Sequence, residues 1–428
     1  MINKKVVVLG AGLTGLSAAW HLKNRGIACQ IFEKESEVGG LCRSKNIGGF
    51  TFDYDGHLLH FRNKSIFNFV QSLLGDNLAS HKRNSYIRYK NCEIPYPFQA
   101  NFLKLPDKVA QECLHGFKKA ARIKKRKYRN FKTWAYAYFG KGIAQHFMVA
   151  YNEKFWTIPA DKLSCAWLDG FIPTVNLKSI LSKSDNKQEA FGYNSIFYYP
   201  VRGGINELPR ALECEIGNNI HLNSNLTEIN LRAKKITVNQ EKISYNKLIS
   251  TIPLPDFKNL IKDIPGRIAK YFDLLNYNSI LVFNFGIKGK VHNGKHWVYF
   301  PEKKFKYFRI GFYSAFSEAL APQGKSSIYV EVSYPKDRVV NINKLKGDIV
   351  NNLVKEKFIS CVSDVLCSDI VDIKYGYPIY DHKYQIAVAK ILDFLSKNGI
   401  YSIGRYGSWR YMSMEDALLD GKNISGII

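Results

Sequence analysis

The segment VVVLGAGLTGLSAAWHL, residues 6–22, decides the fold, because its pattern changes from strand to helix within a few residues. Its β-branched start predicts a buried parallel strand, and its second half predicts a helix. A G-x-G-x-x-G motif joins the two at Gly10, Gly12 and Gly15. The first glycine allows a tight turn, the second lets the backbone approach a pyrophosphate, and the third lets the helix pack closely on the strand. The amides that start the helix, at Leu13 and Thr14, would then face the phosphates.

A second predicted strand, residues 29–32, ends in Glu33. In dinucleotide-binding folds an acid roughly 20 residues beyond the glycines binds the ribose hydroxyls. The segment EVGGLCRS, residues 37–44, then supplies further cofactor-binding candidates at Gly39, Gly40, Leu41 and Arg43. A second glycine pair in this place resembles the FAD-binding proteins of the amine oxidase and pyranose mutase superfamily, and an NAD dehydrogenase need not have it. The alternative is a glycine-rich turn without a ligand; we favour bound FAD.

Length and composition predict a globular protein. The chain has 428 residues, 46% of them hydrophobic, which suits two or three interleaved domains. No run of about 18 apolar residues predicts a transmembrane helix, and the short start before the first strand leaves no room for a signal peptide. The eight cysteines form no C-x-x-C pair, which fits reduced thiols in a cytoplasmic protein.

The charge balance is strongly basic, with 62 Lys and Arg against 36 Asp and Glu and a net charge of +26. Its densest cluster is the segment KKAARIKKRKYR, residues 118–129. This segment is either a solvated basic surface or a site of peripheral attachment to an anionic membrane, at the inner membrane surface. No recognition motif accompanies it, so we expect no nucleic-acid binding.

Strand and helix patterns predict an α/β fold with a discontinuous, Rossmann-like FAD-binding domain formed by residues 1–85, 195–265 and 385–428. A mainly helical substrate lobe, residues 86–194, is inserted into it, with helices expected at 108–121 and 131–151. Residues 266–384 are expected to form a mixed or antiparallel sheet, with strands at 279–285, 296–300, 308–312 and 328–334.

Four further motifs are more specific: IPYPFQ (94–99), YNEKFW (151–156), YYPVRGG (198–204) and GRYGSWRY (404–411). In order and spacing they resemble UDP-galactopyranose mutase, particularly its eukaryotic-type branch, over nearly the whole chain. The resemblance implies an isomerase that interconverts pyranose and furanose forms of a nucleotide sugar for polysaccharide biosynthesis. In that family N5 of reduced FAD attacks the anomeric carbon, and the candidate reductants are NADPH and NADH.

The resemblance also implies roles for individual residues. His57 matches a catalytic histidine beside the flavin, and Arg309 matches a catalytic arginine that binds the diphosphate. The remaining substrate-binding positions are Tyr96, Gln99, Asn152, Trp156, Asn194, Tyr299, Tyr377 and Tyr411. Cofactor contacts are also implied at Gly404, Arg405, Met414 and Glu415. A packing role stays open for His57 and Trp156, as does a surface role for Arg309, and no metal site is expected.

Two positions depart from the family pattern. The family's second diphosphate arginine is replaced by Phe171, and an asparagine of the last helix is replaced by Glu415. Losing one of two cations weakens diphosphate binding unless another cation, such as Lys178 or Lys183, takes its place. Two alternatives therefore stay open: an FAD-dependent amine oxidase or desaturase with an apolar substrate, and a flavin or nucleotide-sugar binding protein without turnover. The sugar, the nucleotide and the oligomeric state stay undetermined.

Overall fold

The structure, a computed structural model, describes residues 5–124, 126–168, 171–173, 175, 180 and 195–428. The strands in this part of the chain are β1 Val6–Leu9, β2 Cys29–Phe32, β3 Ser44–Ile47, β4 Phe50–Asp53, β5 Leu78–Lys82, β6 Ser85–Tyr89, β7 Cys92–Pro95, β8 Ile196–Pro200, β9 Ile220–His221, β10 Leu226–Asn230, β11 Lys235–Val238, β12 Glu241–Ser244, β13 Lys247–Ser250, β14 Tyr277–Lys288, β15 Trp297–Tyr299, β16 Arg309–Phe312, β17 Lys325–Pro335, β18 Val365–Pro378 and β19 Ile400–Ser402.

The α-helices of the described residues alternate with these strands. They are α1 Leu13–Lys23, α2 Lys64–Leu74, α3 Phe98–Asn101, α4 Asp107–Ala121, α5 Phe131–Ile143, α6 Val149–Trp156, α7 Glu207–Ile216, α8 Phe257–Leu260, α9 Gly266–Phe272, α10 Tyr313–Phe316, α11 Ile342–Lys355, α12 Tyr384–Lys397, α13 Gly404–Gly407 and α14 Met414–Ser425. Among them, none has the length and apolar character needed to cross a membrane.

A five-stranded parallel sheet, in the order β19-β13-β1-β2-β9, forms the predicted nucleotide-binding unit. Its central strand β1 is buried along its whole length, which explains the continuous apolar run in the sequence. Helix α14 closes the unit against α1, where Ser17 donates a hydrogen bond to the Leu418 carbonyl over 2.7 Å. The strands of this sheet come from three separated parts of the chain, residues 6–32, 220–250 and 400–402.

A seven-stranded mixed sheet, in the order β18-β14-β17-β16-β15-β6-β7, forms the second layer. Antiparallel pairs dominate it, and β6 joins it through a parallel pairing with β15. The hairpin β6–β7 therefore belongs to this sheet and not to the helical lobe in which the sequence analysis placed residues from 86 onward. Its alternating buried residues pack on the sheet core.

The helical lobe contains α4, α5 and α6. The predicted helix over 131–151 is interrupted: Gly140 has φ +73°, and a π-helical turn at Ala144–Met148 connects α5 to α6. The buried face of α4 contains Val109, Cys113 and Phe117. Lobe and sheet share one large apolar core, which places α6 directly beside the seven-stranded sheet.

Candidate functional site at the glycine loops and the tyrosine wall

The three glycines of the first motif differ in their surroundings. A Cβ atom at Gly10 (φ +92°) would overlap Thr251, and one at Gly15 would overlap the Gly10 carbonyl. A Cβ atom at Gly12 would meet nothing within 4 Å. Two of the glycines are therefore needed for packing, and the third leaves open space beside the backbone, which a pyrophosphate would need at this position.

Three glycine segments meet at the start of α1. Gly12 forms an isolated parallel bridge with Gly39, and a Cβ atom at Gly40 would lie 3.4 Å from Gly12 Cα. Gly404 (φ +77°) packs on Thr14, where a Cβ atom would come within 2.6 Å of Oγ1. The first amides of α1, at Leu13 and Thr14, are therefore surrounded by the predicted cofactor-binding loops.

The charged residues of this unit hold the loops together. Glu33 is buried, and its Oε2 accepts the Ala11 amide over 2.7 Å while Oε1 accepts the Glu35 amide over 3.0 Å. Arg43 Nε donates to the Gly40 carbonyl over 2.7 Å, and its guanidinium lies 4.5 Å from the Tyr54 ring. The carboxylate predicted to bind ribose thus lies at the carboxyl end of β2, beside the glycine turn.

His57 lies on a tight loop that follows β4. Its amide donates to the Asp55 carbonyl over 2.8 Å, and the Tyr329 ring fills the space where Gly56 has no Cβ. The Nδ1 atom of His57 is buried without a hydrogen-bond partner. Burial, with smaller effects from Arg405 and Arg309, lowers the pKa of His57, so the ring is neutral at physiological pH. An enclosed, unpartnered ring nitrogen is a feature that a bound ligand would satisfy.

Arg309 lies in a row of facing residues on three neighbouring strands. Tyr299 is opposite Arg309, and Arg309 is opposite the fully buried Glu331. The guanidinium donates two hydrogen bonds to the Glu331 carboxylate, one of them from Nη2 over 2.7 Å, and Nη2 lies 3.9 Å from Asp55. Burial disfavours the charged form of Arg309, but the Glu331 charge outweighs it and raises the pKa. The predicted diphosphate arginine is therefore already neutralised by protein carboxylates.

Arg405 differs from Arg309 in its hydrogen-bond partners. Its Nη1 donates to the Met412 carbonyl over 2.9 Å and its Nη2 to the Gly376 carbonyl over 3.2 Å. Within the described part of the chain no carboxylate lies within 4.0 Å of this guanidinium, and its Nε is buried without a partner. The guanidinium lies 4.6 Å from the centroid of the Tyr377 ring and 5.3 Å from that of Tyr411. An enclosed cation without a counter-ion favours the binding of an anion.

Four of the tyrosines predicted to bind substrate, together with Tyr151, form two groups that Phe155 connects, since the Phe155 ring lies 6.2 Å from that of Tyr151 and 4.5 Å from that of Tyr377. We call these five residues the tyrosine wall: Tyr96, Tyr151, Tyr299, Tyr377 and Tyr411. Ring centroids are 5.2 Å apart for Tyr96 and Tyr299, and 5.5 Å apart for Tyr377 and Tyr411. Tyr151 meets Tyr299 edge to face at 5.5 Å. Burial raises the pKa of Tyr377 and of Tyr411, so both hydroxyls stay protonated and can donate hydrogen bonds.

Two further aromatic residues pack behind this wall. Phe171, at the position of the family's second arginine, lies 4.5 Å from the Tyr411 ring. Trp156 is fully buried, 5.1 Å from Trp167 and 5.7 Å from Tyr377. A fully buried indole has no free face for a nucleotide base, so the structure favours the packing role that the sequence left open for Trp156.

The other predicted site residues that the structure describes make hydrogen bonds or packing contacts within the protein. Gln99 is buried, and its Nε2 atom donates a hydrogen bond to the Pro173 carbonyl over 2.6 Å, while its Oε1 atom has no partner among the described residues. The side-chain amide of Asn152 donates a hydrogen bond to the Met148 carbonyl over 2.8 Å. Leu41 packs on the core of the FAD-binding unit, and Met414 lies 3.5 Å from the Cys42 thiol, measured between the sulfur atoms. Asn194 and the two lysines considered as replacement cations, Lys178 and Lys183, lie outside the described residues.

Glu415, one of the departures from the family, uses its side chain within the protein. One carboxylate oxygen accepts the amides of Arg62 and Asn63 over 2.7 and 2.6 Å, and the other accepts Arg62 Nε over 3.1 Å. The carboxylate thus ties the start of α14 to the segment after the His57 loop. Only the backbone of this residue is left for the predicted cofactor contact.

Sequence reasoning did not identify Asp55, Tyr151, Tyr329 or Glu331 as site residues. Glu331 carried a usable signal, since it is the one acid in the otherwise apolar and hydroxyl-bearing segment SSIYVEVSY, residues 326–334. A charged residue at such a position needs a buried partner. The partner's identity depends on strand pairing, which the sequence alone does not give.

Comparison with known proteins agrees with this arrangement. A solved structure of reduced UDP-galactopyranose mutase superimposes with a TM-score of 0.92 and 28% sequence identity, covering 99% of this chain and 96% of that one. A 4,4'-diapophytoene desaturase of Staphylococcus aureus is 24% identical over 404 residues, which covers 78% of this chain and 76% of that protein. A putative protoporphyrinogen oxidase from Exiguobacterium shares the fold, with a TM-score of 0.78 at 14% identity.

The family comparison covers nearly the whole chain. The family model described as flavin containing amine oxidoreductase matches residues 13–425, and the family implies FAD as the cofactor. The match begins at the start of α1 and ends at the last residue of α14, so it includes Gly15, the second glycine pair at Gly39 and Gly40, His57 and the tyrosine wall, while Gly10 and Gly12 lie just before it. The chain therefore belongs to the family of flavin containing amine oxidoreductases.

Proposed function

We propose that the protein is an FAD-dependent nucleotide-sugar mutase, similar to UDP-galactopyranose mutase, that interconverts pyranose and furanose forms without net oxidation. The observation that carries this proposal is Arg405, an enclosed cation with no carboxylate partner among the described residues, beside tyrosine hydroxyls that can donate hydrogen bonds. Such a site suits a diphosphate group. The likeness to the mutase structure supports the same function.

The glycine loops fit FAD. Gly12 leaves backbone open to a pyrophosphate at the start of α1, and Glu33 lies where a ribose would be held. Bound and reduced, the flavin would supply the nucleophile for the anomeric carbon of the sugar. NADPH or NADH is the proposed source of the electrons, and the furanose product would feed polysaccharide synthesis.

The two arginines would have different roles. Arg405 would balance the negative charge of the diphosphate, because no carboxylate of the residues that the structure describes lies within 4.0 Å of its guanidinium. Arg309 has Nε and Nη2 on Glu331, so Nη1 is the nitrogen left for the ligand. We propose that Arg309 orients the substrate through Nη1 and holds Glu331 and Asp55 in place below it.

His57 and the tyrosine wall would contact the flavin and the leaving phosphate and would exclude water from the site. A neutral His57 has one N–H group, and its buried Nδ1 would find a partner in the flavin. Tyr377 and Tyr411 would donate to the phosphate oxygens of the leaving group. The packed rings of the wall exclude water, which protects a reactive sugar from hydrolysis.

A second candidate, an FAD-dependent desaturase or amine oxidase, is favoured by Phe171 and by the desaturase relatives. The two candidates differ in the ligand that they bind. We expect UDP and UDP-sugars to raise the melting temperature of the reduced protein, and amines and polyenes to leave it unchanged. Stabilisation by an amine or a polyene, with oxidation of that compound by the flavin and no effect of any nucleotide sugar, would establish the second candidate.

A further inference from the structure

The basic segment at residues 118–129 has no role in the proposed reaction, and its described cations lie exposed on the helical lobe. The described cations of residues 118–129 are all exposed, and they are Lys118, Lys119, Arg122, Lys124, Arg126, Lys127 and Arg129. None of them lies within 4.0 Å of a carboxylate of the described chain. The segment itself contains no acidic residue. Among the residues that the structure describes, no carboxylate is therefore close enough to neutralise these cations.

Apolar and aromatic side chains accompany these cations. Ile123, in the middle of the segment, is 47% exposed, and Leu103 is 43% exposed. Leu103 lies near the same end of α4, because the adjacent Phe102 packs on Phe117, with 6.5 Å between the ring centroids. This part of the surface therefore combines exposed aliphatic side chains with cations, a combination that suits the surface of an anionic lipid layer.

Aromatic residues extend this surface along α5. The Tyr128 ring meets the Tyr138 ring edge to face at 6.1 Å, and Trp134 stacks on Tyr138 at 4.8 Å. Tyr128, Trp134 and Tyr138 are all partly exposed. Tyrosine and tryptophan have an apolar body and a polar tip, which suits the boundary between lipid headgroups and acyl chains.

We propose that this surface, defined by Leu103, the described residues of 118–124 and 126–129, Trp134 and Tyr138, docks the protein on an anionic phospholipid bilayer. The cations would lie at the headgroup phosphates, and Leu103 and Ile123 would enter the outer part of the apolar layer. Nucleic acid offers phosphates but no place for the exposed aliphatic side chains. The proposal concerns the lobe surface alone and is independent of the reaction catalysed.

The test uses the full-length protein with vesicles of phosphatidylcholine, with and without phosphatidylglycerol, in a co-sedimentation assay. We expect binding only to the anionic vesicles, and we expect added salt to weaken it, because salt screens surface charge. The variant Lys118→Gln/Lys119→Gln/Arg122→Gln/Lys124→Gln should reduce the partition coefficient at least about tenfold. Ile123→Ser should reduce binding and leave the salt dependence unchanged.

A matched control separates this surface from the general charge of the protein. Lys242→Gln/Lys344→Gln/Lys355→Gln/Lys390→Gln removes the same four charges from exposed lysines elsewhere, so both variants carry +22 in place of +26. The control should bind vesicles like the parent. Equal losses in both variants, equal binding to neutral vesicles, or tighter binding to duplex DNA than to anionic vesicles would each overturn the proposal.

Discussion

At the scale of single residues, Arg405 and Arg309 differ in what neutralises their charge. Arg309 faces Glu331 directly and lies near Asp55, whereas Arg405 donates to the backbone carbonyls of Met412 and Gly376 and has no carboxylate within 4.0 Å in the described part of the chain. Replacing Arg405 with Met should therefore raise the dissociation constant for UDP by about 10- to 100-fold, because a charge-assisted contact is lost. Isothermal titration of the reduced protein measures this change.

The control for this prediction is Arg405→Lys, which keeps the charge and should lose less affinity than Arg405→Met. The flavin absorbance of both variants shows whether the fold and the cofactor are retained. Unchanged UDP affinity in a flavin-loaded Arg405→Met protein would remove Arg405 from the diphosphate site.

Arg309 should matter to stability as well as to binding. The change Arg309→Met leaves the buried Glu331 without its cation, and breaking a buried pair in this way costs about 3–5 kcal/mol of unfolding free energy. Adding Glu331→Met should restore most of that loss, since no buried charge is then left unpaired. Urea denaturation of the two single variants and the double variant measures the coupling; strictly additive losses would contradict it.

Residue types and their motifs could be predicted better than charge pairing. The structure places the glycines beside Glu33 and groups four of the tyrosines that the motifs indicated; their roles in binding stay predictions. The pairing of Arg309 with Glu331 could not be predicted, because it depends on which strands are neighbours. The burial of Trp156 likewise follows from the packing of Trp167 and Tyr377, which lie on distant segments.

At the scale of elements, the turn from β1 to α1 allows a comparison of two similar substitutions. In Gly15→Ala the new methyl group would overlap the Gly10 carbonyl, whereas in Gly12→Ala it would meet no protein atom within 4 Å. Gly15→Ala should therefore lower the stability of the apoprotein. Gly12→Ala should leave that stability unchanged and reduce FAD content.

Thermal melts of the apoproteins and flavin absorbance of the purified proteins test this pair. Equal flavin content in the parent and Gly12→Ala would show that the open side of the turn does not face the cofactor.

Strand β15, which positions Tyr299, directly follows His296 in the sequence, and His296 must be neutral to accept a hydrogen bond at Nδ1. His296 Nδ1 accepts the Asn84 amide over 2.9 Å, and burial lowers the pKa of His296 from 6.5 to about 4. The unfolded chain binds this proton between pH 6.5 and about 4 while the folded chain does not, so stability falls as pH falls through this window. His296→Gln keeps an acceptor without the proton and should flatten the pH dependence by up to about 1.4 kcal/mol per pH unit. Urea denaturation at several pH values measures this slope, and an unchanged slope would exclude His296.

Long, periodic elements could be predicted, and polar edge elements could not. The strands β14, β16 and β17 carry buried apolar runs that the sequence shows directly. The 14-residue strand β18 was not predicted, because it lies at the sheet edge with many partly exposed polar residues. The break between α5 and α6 depends on a π-helical turn that has no simple sequence signal.

At the scale of the whole molecule, the chain returns twice to its first domain. Strand β13 and helix α14 complete the unit that β1 begins, and the Ser17–Leu418 hydrogen bond joins residues 401 positions apart. The discontinuous arrangement could be predicted, since the glycine loops and the GRYGSWRY motif must serve one cofactor. The position of the β6–β7 hairpin in the second sheet could not be predicted, because the sequence of a hairpin does not specify which strand lies beside it.

The central claim is that a reduced flavin and a diphosphate site act together on a nucleotide sugar. The most direct measurement is anaerobic incubation of the reduced protein with UDP-galactopyranose, with chromatographic separation of the products. The account predicts that the furanose form accumulates to equilibrium while the flavin stays reduced, with no reductant consumed per turnover. A flavin-loaded protein that converts no nucleotide sugar, and whose flavin is instead reduced by an amine or a polyene, would contradict it.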